Sequence, residues 1–248
     1  LDLYLIHWPV PDTLTETWRA MEEIYKSGKV KAIGLCNCVE HQMDEIIQNG
    51  SIKPMLLQNE FHPKLVQQNM LDYCTERNIQ YEGWSPLMRG QILDNKLLKD
   101  IAEKYGKSTA QVVLRWDLQK GVLTIPKSVH QQRIEDNANV FDFELTDEEI
   151  KTIDALHNDE RTGAHPDHFM EHFAKKSKEY SNLGGVINPA CDYVDFEKEK
   201  KRFVHIFRST NRTNLAFSET KSCVQGFSIA ENARSVRFVD QKIWPKNF

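Results

Sequence analysis

The sequence lacks any apolar run that approaches the roughly 20 residues needed to cross a bilayer. It also shows no secretory signal, since no basic segment leads into a short apolar stretch with a cleavage site. There is no initiator Met, and the chain opens directly on the apolar residues 3–6. We therefore predict a protein without a membrane partner, whose first residues lie in a buried strand.

Cysteine is scarce, with five residues at irregular spacing, and an odd number does not form a disulfide framework. Cys36-Asn37-Cys38 is too short for a zinc knuckle and has no second cluster to complete one. The net charge of −4 gives no reason to expect nucleic acid as a partner. These features predict a reducing, cytoplasmic location and no metal.

The composition changes near residue 170. Residues 1–169 carry 18 Lys and Arg against 27 Asp and Glu, whereas residues 170–248 carry 14 against 9. The second segment also holds eight of the twelve Phe but only two Leu. We predict a folded part over 1–169 and a tail of unknown fold and low order over 170–248. The tail is a fused segment of a neighbouring reading frame, an out-of-frame translation or a real extension.

Within residues 1–158, short apolar segments alternate with amphipathic ones. Strands are predicted over residues 3–6, 29–37, 53–63, 79–87 and 121–128, and helices over 13–28, 39–50, 66–78, 94–106, 108–121, 131–141 and 145–158. Ser108 is a plausible N-cap, and Thr146 with Glu149 forms a capping box. Alternation of this kind predicts an α/β fold with a parallel sheet covered on both faces.

Two architectures fit the alternation, a (β/α)8 barrel and a doubly wound sheet. Five strands are predicted, whereas a closed barrel has eight. No Gly-x-Gly-x-x-Gly follows any strand, which disfavours a dinucleotide-binding doubly wound sheet.

The ends of the predicted strands carry polar and aromatic residues, and in a barrel the chemistry gathers there. In chain order these residues are His7, Trp8, Cys36, Asn37, Gln58, Asn59, Trp84, Ser85, Leu87, Lys127, Ser128 and Arg133. Carboxamides suit an amide-bearing ring, a Trp face suits stacking, and Lys with Arg suits a phosphate. The set is typical of a nicotinamide nucleotide site without a glycine-rich loop.

Five segments together resemble a known family. "DLYLIHWP", "GLCN", "LQNEFHP", "WSPL" and "IPKSVHQQRIEDN" are similar, in order, to active-site segments of the aldo-keto reductases. The similarity is greatest to the bacterial branch that reduces glyoxal, methylglyoxal and 2,5-diketo-gluconate. It extends to about Phe169, where "DERTGAHPDHF" resembles the end of that branch. The resemblance implies part of a (β/α)8 TIM barrel, with its strands 4 to 8 present, followed by the tail.

The resemblance also implies a role for each matching residue, with NADPH as the cofactor and a small carbonyl compound as the substrate. His7 orients and polarises the carbonyl, and Trp8 lines the substrate pocket. Asn37 and Gln58 bind the nicotinamide carboxamide, on which Trp84 stacks. The remaining cofactor-binding positions are Cys36, where the family usually has Ser, then Ser85, Leu87 and Gly90 over the pyrophosphate, Lys127, Ser128 and Arg133 at the 2′-phosphate, and Asp136 and Asn137 at the adenine.

The family's general acid is a Tyr whose pKa a Lys and an Asp adjust, and all three lie in strands that would precede Leu1. Tyr4 and Tyr81 lie inside predicted strands, and neither matches that role. We therefore expect this chain to begin at the fourth strand of a barrel and to lack the catalytic Tyr, Lys and Asp. The parent protein is expected to reduce small aldehydes or α-dicarbonyls. The alternative is a catalytically inactive remnant with at most nucleotide binding, and the oligomeric state stays open.

Overall fold

The computed structural model describes the backbone of residues 1–182 and the side chains of residues 1–175. Most of the predicted tail, including Cys191, Cys223 and the basic run 198–202, lies outside the described residues.

Helices and strands alternate along the described chain. The strands are β1 (Tyr4–Ile6), β2 (Ile33–Cys36), β3 (Leu56–Glu60), β4 (Gln80–Trp84) and β5 (Leu123–Thr124). The helices are α1 (Leu14–Lys26), α2 (Glu40–Asn49), α3 (Gln68–Glu76), α4 (Lys96–Tyr105), α5 (Thr109–Gln119), α6 (Gln131–Ala138), α7 (Asp147–Asp154) and α8 (Phe169–Asn182). A 3-10 helix, Met88–Asp94, follows β4.

The five strands form one parallel sheet in the order in which they occur along the chain. A doubly wound sheet reverses its strand order at a switch point, whereas a barrel adds each strand beside the previous one. The predicted α/β class is therefore confirmed, and the strand order is that of part of a (β/α)8 barrel. Parallel pairing also brings the carboxyl ends of all five strands to one edge of the sheet.

The core lies between the sheet and the helices. Trp18 of α1 and Trp116 of α5 are fully buried, and Trp116 stacks on Phe61 with ring centroids 5.0 Å apart. The outward residues of β2, Ile33 and Leu35, are also fully buried. Because these side chains are buried against the helices, the alternate residues of the same strand point to the opposite face of the sheet.

Helix starts follow the local sequence. The Ser108 hydroxyl accepts a hydrogen bond from the Gln111 N–H at 3.2 Å, and the Thr146 hydroxyl accepts one from the Glu149 N–H at 3.3 Å. Both predicted caps are confirmed.

The strands are shorter than predicted, and β5 has only two residues. Two elements were not predicted. The 3-10 helix begins where the non-glycine residues Met88 and Arg89 take left-handed φ values of 48° and 54°, which propensity does not indicate. The first residues of the predicted tail belong to α8, which begins inside the family-like segment at Phe169.

Candidate cofactor and active site

Three of the predicted site residues are joined by hydrogen bonds at the carboxyl edge of the sheet. The indole Nε1 of Trp84 donates to Asn37 Oδ1 at 2.8 Å, and Asn37 Nδ2 donates to the backbone carbonyl of His7 at 2.9 Å. Asn37 directly follows β2 with a left-handed φ of 55°, a conformation that Asn tolerates better than most residues. This turn directs its carboxamide along the edge, between the ends of β1 and β4.

Asn37 keeps hydrogen-bonding capacity after these contacts. A carboxamide has two N–H donors and an oxygen with two lone pairs, and the protein uses one of each. The remaining donor and lone pair suit an amide-bearing ring placed against Trp84.

Gln58 lies in the middle of β3 and is hydrogen-bonded to both neighbouring strands. Its Oε1 accepts from the Cys36 thiol at 3.8 Å, and its Nε2 donates to Glu82 Oε1 at 2.6 Å. Burial, and then the nearby Glu82 charge, raise the pKa of Cys36 to about 12, so the thiol stays protonated. Burial also raises the pKa of Glu82, which the Gln58 contact partly offsets. The thiol therefore orients Gln58 in this structure.

His7 follows β1 at the open end of the sheet and is exposed. Packing around its ring removes water and lowers the imidazole pKa below its ordinary value. The imidazole is accordingly neutral at pH 7, with one N–H donor and one acceptor nitrogen. Among the described residues its ring has no hydrogen-bond partner, which leaves the donor available to a ligand.

Trp8 lies beside His7, with ring centroids 5.9 Å apart. Its indole stacks on Phe169 at 4.9 Å and meets the edge of Phe173 at 5.5 Å, both on α8. An aromatic wall therefore stands next to the imidazole.

The loop after β4 turns sharply. Ser85 and Gly90 have left-handed φ values of 58° and 94°, and the Gly90 N–H donates to the Leu87 carbonyl at 2.7 Å. Leu87 is half-buried against the core, while the Ser85 hydroxyl lies 3.1 Å from that of Thr162. These contacts hold the loop close to the end of β4.

The predicted phosphate residues lie after β5. Lys127 and Arg133 are exposed, and no acidic group within the described part of the chain lies close enough to pair with either cation. The Ser128 hydroxyl accepts from the His130 N–H at 3.1 Å, just ahead of α6. Two cations without acidic partners on one loop and helix suit a phosphate group.

The adenine-side residues Asp136 and Asn137 end α6. The Asp136 carboxylate accepts from Gln132 at 3.0 Å, and Asn137 is 9% exposed. Within the described structure no hydrogen bond joins these residues or the phosphate residues to the group around Trp84. Hydrogen bonds thus join one half of the predicted site directly, around Trp84, and not the other.

Several contributors were missed in the sequence. Glu60 ends β3 and accepts hydrogen bonds from Thr162 and Gly163, more than a hundred positions later. His62, to which the sequence assigns no role, also contacts Glu60, at 3.2 Å. Two acidic residues in predicted strands could have indicated such contacts: Glu60 at the strand end in "LQNEFHP" and Glu82 in "YEGW". Over the described residues, no group of three or more His, Cys, Asp or Glu is placed to hold a metal ion, and none of the helices is long and apolar enough to cross a membrane.

A model of the Aldo/keto reductase family matches residues 1–158. The chain belongs to this family. Glyoxal reductase of Bacillus subtilis is 56% identical over 170 residues, which are 68% of this chain and 62% of the relative. Methylglyoxal reductase DkgA of Escherichia coli K12 is 42% identical over 173 residues, which are 68% of this chain and 63% of the relative.

Solved aldo/keto reductases share the fold. A Gox0644 mutant in complex with NADPH superposes with a TM-score of 0.66 at 40% identity, covering 67% of this chain and 63% of that one. The chain therefore spans less than two thirds of the length of these relatives.

Proposed function

We propose that the protein is an NADPH-dependent reductase that converts small aldehydes or α-dicarbonyls to alcohols. The proposal rests on the hydrogen bonds from Trp84 to Asn37 and from Asn37 to the His7 backbone carbonyl, because they bring a stacking surface and a carboxamide with a spare donor to the residue whose imidazole would bind the substrate. The names of its relatives, a glyoxal and a methylglyoxal reductase, support the substrate class.

The donor set fits NADPH. Asn37 and Gln58 would hold the nicotinamide carboxamide, with Trp84 against the ring. Lys127 and Arg133 would bind the 2′-phosphate, since neither cation has an acidic partner in the described chain. Bound NADPH supplies the hydride that reduces a carbonyl carbon.

His7 would donate its N–H to the carbonyl oxygen and so stabilise the negative charge that develops there. Trp8, Phe169 and Phe173 would exclude water from that oxygen. A small, flat dicarbonyl compound suits a pocket with an aromatic wall and one polar donor. We also propose a reducing, cytoplasmic location, supported by the free, buried thiols of Cys36, Cys38 and Cys74.

The second candidate is nucleotide binding without reduction. Reduction needs a proton for the oxygen, and we assign this role to none of the tyrosines whose side chains are described. Tyr73, Tyr81 and Tyr105 use their hydroxyl groups in hydrogen bonds with Asp44, Gln67 and Glu149, respectively.

Titration of the 248-residue chain with NADPH, followed by quenching of tryptophan fluorescence, tests the proposal. Saturable quenching is expected, and Arg133→Ala should weaken NADPH binding about tenfold or more, the equivalent of losing one charge-assisted contact. NADH binding should change little, because NADH lacks the 2′-phosphate. Gln131→Ala, on the same helix, is the matched control, because Gln131 is exposed and donates to Glu135, which has no assigned role in binding.

Consumption of NADPH in the presence of methylglyoxal then separates the two candidates. Binding with turnover supports the reductase. Binding without turnover by this chain supports the second candidate. Absence of saturable quenching would contradict both.

A further inference from the structure

Glu60, the last residue of β3, holds residues 162–163 next to the site by hydrogen bonds. One carboxylate oxygen accepts hydrogen bonds from the Thr162 N–H at 2.6 Å and from the Thr162 hydroxyl, and the other accepts from the Gly163 N–H at 3.2 Å. The residue is 2% exposed. Three donors on one buried carboxylate make a contact that depends on its charge.

Glu60 is ionised although it is buried. Burial alone would raise its pKa, but the hydrogen bonds from His62 and Thr162 outweigh that effect and lower the pKa below its ordinary value. His62 is itself fully buried, with Nε2 3.2 Å from the carboxylate. The carboxylate is therefore a fixed negative charge at the end of the strand.

Residues 162–163 lie against Trp84. A Cβ atom built on Gly163 would come 2.4 Å from Trp84 Cη2, so the glycine backbone touches the outer edge of the indole. Glu60 and Trp84 are paired residues of β3 and β4. The Ser85 hydroxyl, next to Trp84, lies 3.1 Å from the Thr162 hydroxyl.

Trp84 is thus held at two opposite ends. Asn37 accepts from Nε1 on one side, and Gly163 blocks movement of the six-membered ring on the other. Asn37 acts directly, whereas Gly163 acts only as long as its backbone is kept in place. The groups that keep it there are on Glu60.

We infer that Glu60 is a positioning residue for Trp84, holding Thr162 and Gly163 against the indole so that its face is presented in one orientation. That this face receives the nicotinamide ring rests on the proposed function. Glu60 acts through the 162–163 backbone, which the hydrogen bonds to the carboxylate hold in place.

The test removes the charge or displaces the ring. Glu60→Gln keeps the side-chain shape, and Gly163→Ala inserts a methyl group against the indole. Glu160→Gln is the matched control: it is the same change on the same segment, but the Glu160 carboxylate accepts from the side chains of the half-buried Lys64 and the exposed Asn158 and not from Thr162 or Gly163. Circular dichroism verifies that each variant is folded.

The first measurement needs no NADPH. Acrylamide quenching of Trp84 is obtained by subtracting the signal of the same protein carrying Trp84→Phe. Glu60→Gln and Gly163→Ala should increase the quenching of Trp84, and Glu160→Gln should not. If Glu60→Gln behaves like the control, the inference is wrong, whether or not the protein binds NADPH.

The second measurement is the Kd for NADPH. Since Trp84 would stack on the nicotinamide ring, partial loss of this stacking should raise Kd about fivefold to tenfold in Glu60→Gln. An unchanged Kd beside increased quenching would overturn the link to the nicotinamide while leaving the positioning of Trp84 intact. If Glu60→Gln does not fold, Gly163→Ala and Thr162→Val decide the inference by the same quenching measurement.

Discussion

Among single residues, Asp117 is a carboxyl group in unfavourable surroundings. It lies on α5 with no exposure, and neither carboxyl oxygen has a hydrogen-bond partner among the described residues. Burial raises its pKa well above the ordinary value, and the nearby Thr124 hydroxyl, which is not aligned for a full hydrogen bond, offsets only part of that effect. Asp117 is thus a buried acid that favours its neutral form.

This raised pKa predicts a pH dependence of stability. The folded chain binds the Asp117 proton more tightly than the unfolded chain, so stability falls as pH rises from the unfolded pKa of about 3.9 toward the folded value. Asp117→Asn keeps the shape without the charge, and we expect it to raise the free energy of unfolding near neutral pH by about 1–3 kcal/mol. Urea unfolding at neutral and at acidic pH measures the effect, which should shrink in acid.

Asp100→Asn provides the control, since Asp100 lies exposed on α4 and pairs only with Lys96. It should change stability little at either pH. If Asp117→Asn destabilises the chain equally at both pH values, the carboxyl group has a partner that the described contacts do not include.

At the scale of elements, Gln111 connects two helices. Its Oε1 accepts from the Ser108 N–H at 2.9 Å in the cap of α5, and its Nε2 donates to the carbonyls of Asp136 and Asn139 at 3.1 and 2.9 Å, at the end of α6. The helix that carries Arg133 is thereby tied to a buried neighbour. The position of the adenine-side residues depends on this side chain.

We therefore predict that Gln111→Ala weakens NADPH binding as well as stability. The loss of two hydrogen bonds to backbone carbonyls should lower the free energy of unfolding by about 1–3 kcal/mol, and the loosened α6 should raise the Kd for NADPH. Thr146→Ala removes the cap of α7, which is not part of this connection, at a cost of about 1 kcal/mol, and should leave Kd unchanged. Equal effects of the two variants on Kd would contradict a specific role for the connection to α6.

A second connection joins α1 to the segment between α2 and β3. The carboxylate of Glu22 accepts from the Ser51 and Ile52 N–H groups at 2.6 and 2.7 Å, and the Trp18 indole donates to the Ile52 carbonyl at 3.0 Å. Burial opposes ionisation of Glu22, but these backbone hydrogen bonds prevail and lower its pKa. The ionised carboxylate stabilises the turn before β3.

Glu22→Gln should accordingly destabilise the chain near neutral pH by about 1–3 kcal/mol. Because the folded pKa is lowered, the contribution of Glu22 is present above the unfolded pKa of about 4.3 and disappears as pH falls through the folded value. Thermal unfolding across this pH range measures the difference. The control is Glu23→Gln on the same helix, because Glu23 is exposed and pairs with Lys26. A similar loss of stability in both variants would contradict a specific contribution from the contacts of Glu22 with the turn.

At the scale of the whole molecule, the sequence predicts best those features that follow from local periodicity. The alternation of apolar strands and amphipathic helices, and caps such as Ser108 and Thr146, depend on residues close together in the chain and were all confirmed. The family resemblance rested on segments at strand ends, which the parallel sheet brings to one edge.

Contacts between distant residues could not be predicted in the same way. Glu60 and Thr162 are 102 positions apart, and neither has a local pattern that identifies the other. The same is true of the Gln58–Glu82 hydrogen bond between strands, and of Phe173 against Trp8. Pairing of polar groups across the fold depends on the packed geometry, which periodicity does not specify.

The sheet as a whole has two edges in the described structure, because β1 and β5 each pair with one strand. Leu3 beside β1 and Ile125 beside β5 are 36% and 37% exposed. Unpaired strand edges with apolar side chains favour association between chains. We predict that the chain associates with increasing concentration and that Leu3→Lys with Ile125→Lys reduces this association, since charged side chains at an edge oppose strand pairing.

Sedimentation velocity over a range of concentrations measures the association. Phe141→Lys is the control, because Phe141 is 43% exposed but lies between α6 and α7, away from both edges. If the edges drive association, the double variant shifts the equilibrium toward the single chain and Phe141→Lys does not. An equal effect of Phe141→Lys would show that general apolar exposure, and not the sheet edges, causes the association. A protein that stays monomeric at every concentration would show that the short strands β1 and β5 are too small to pair.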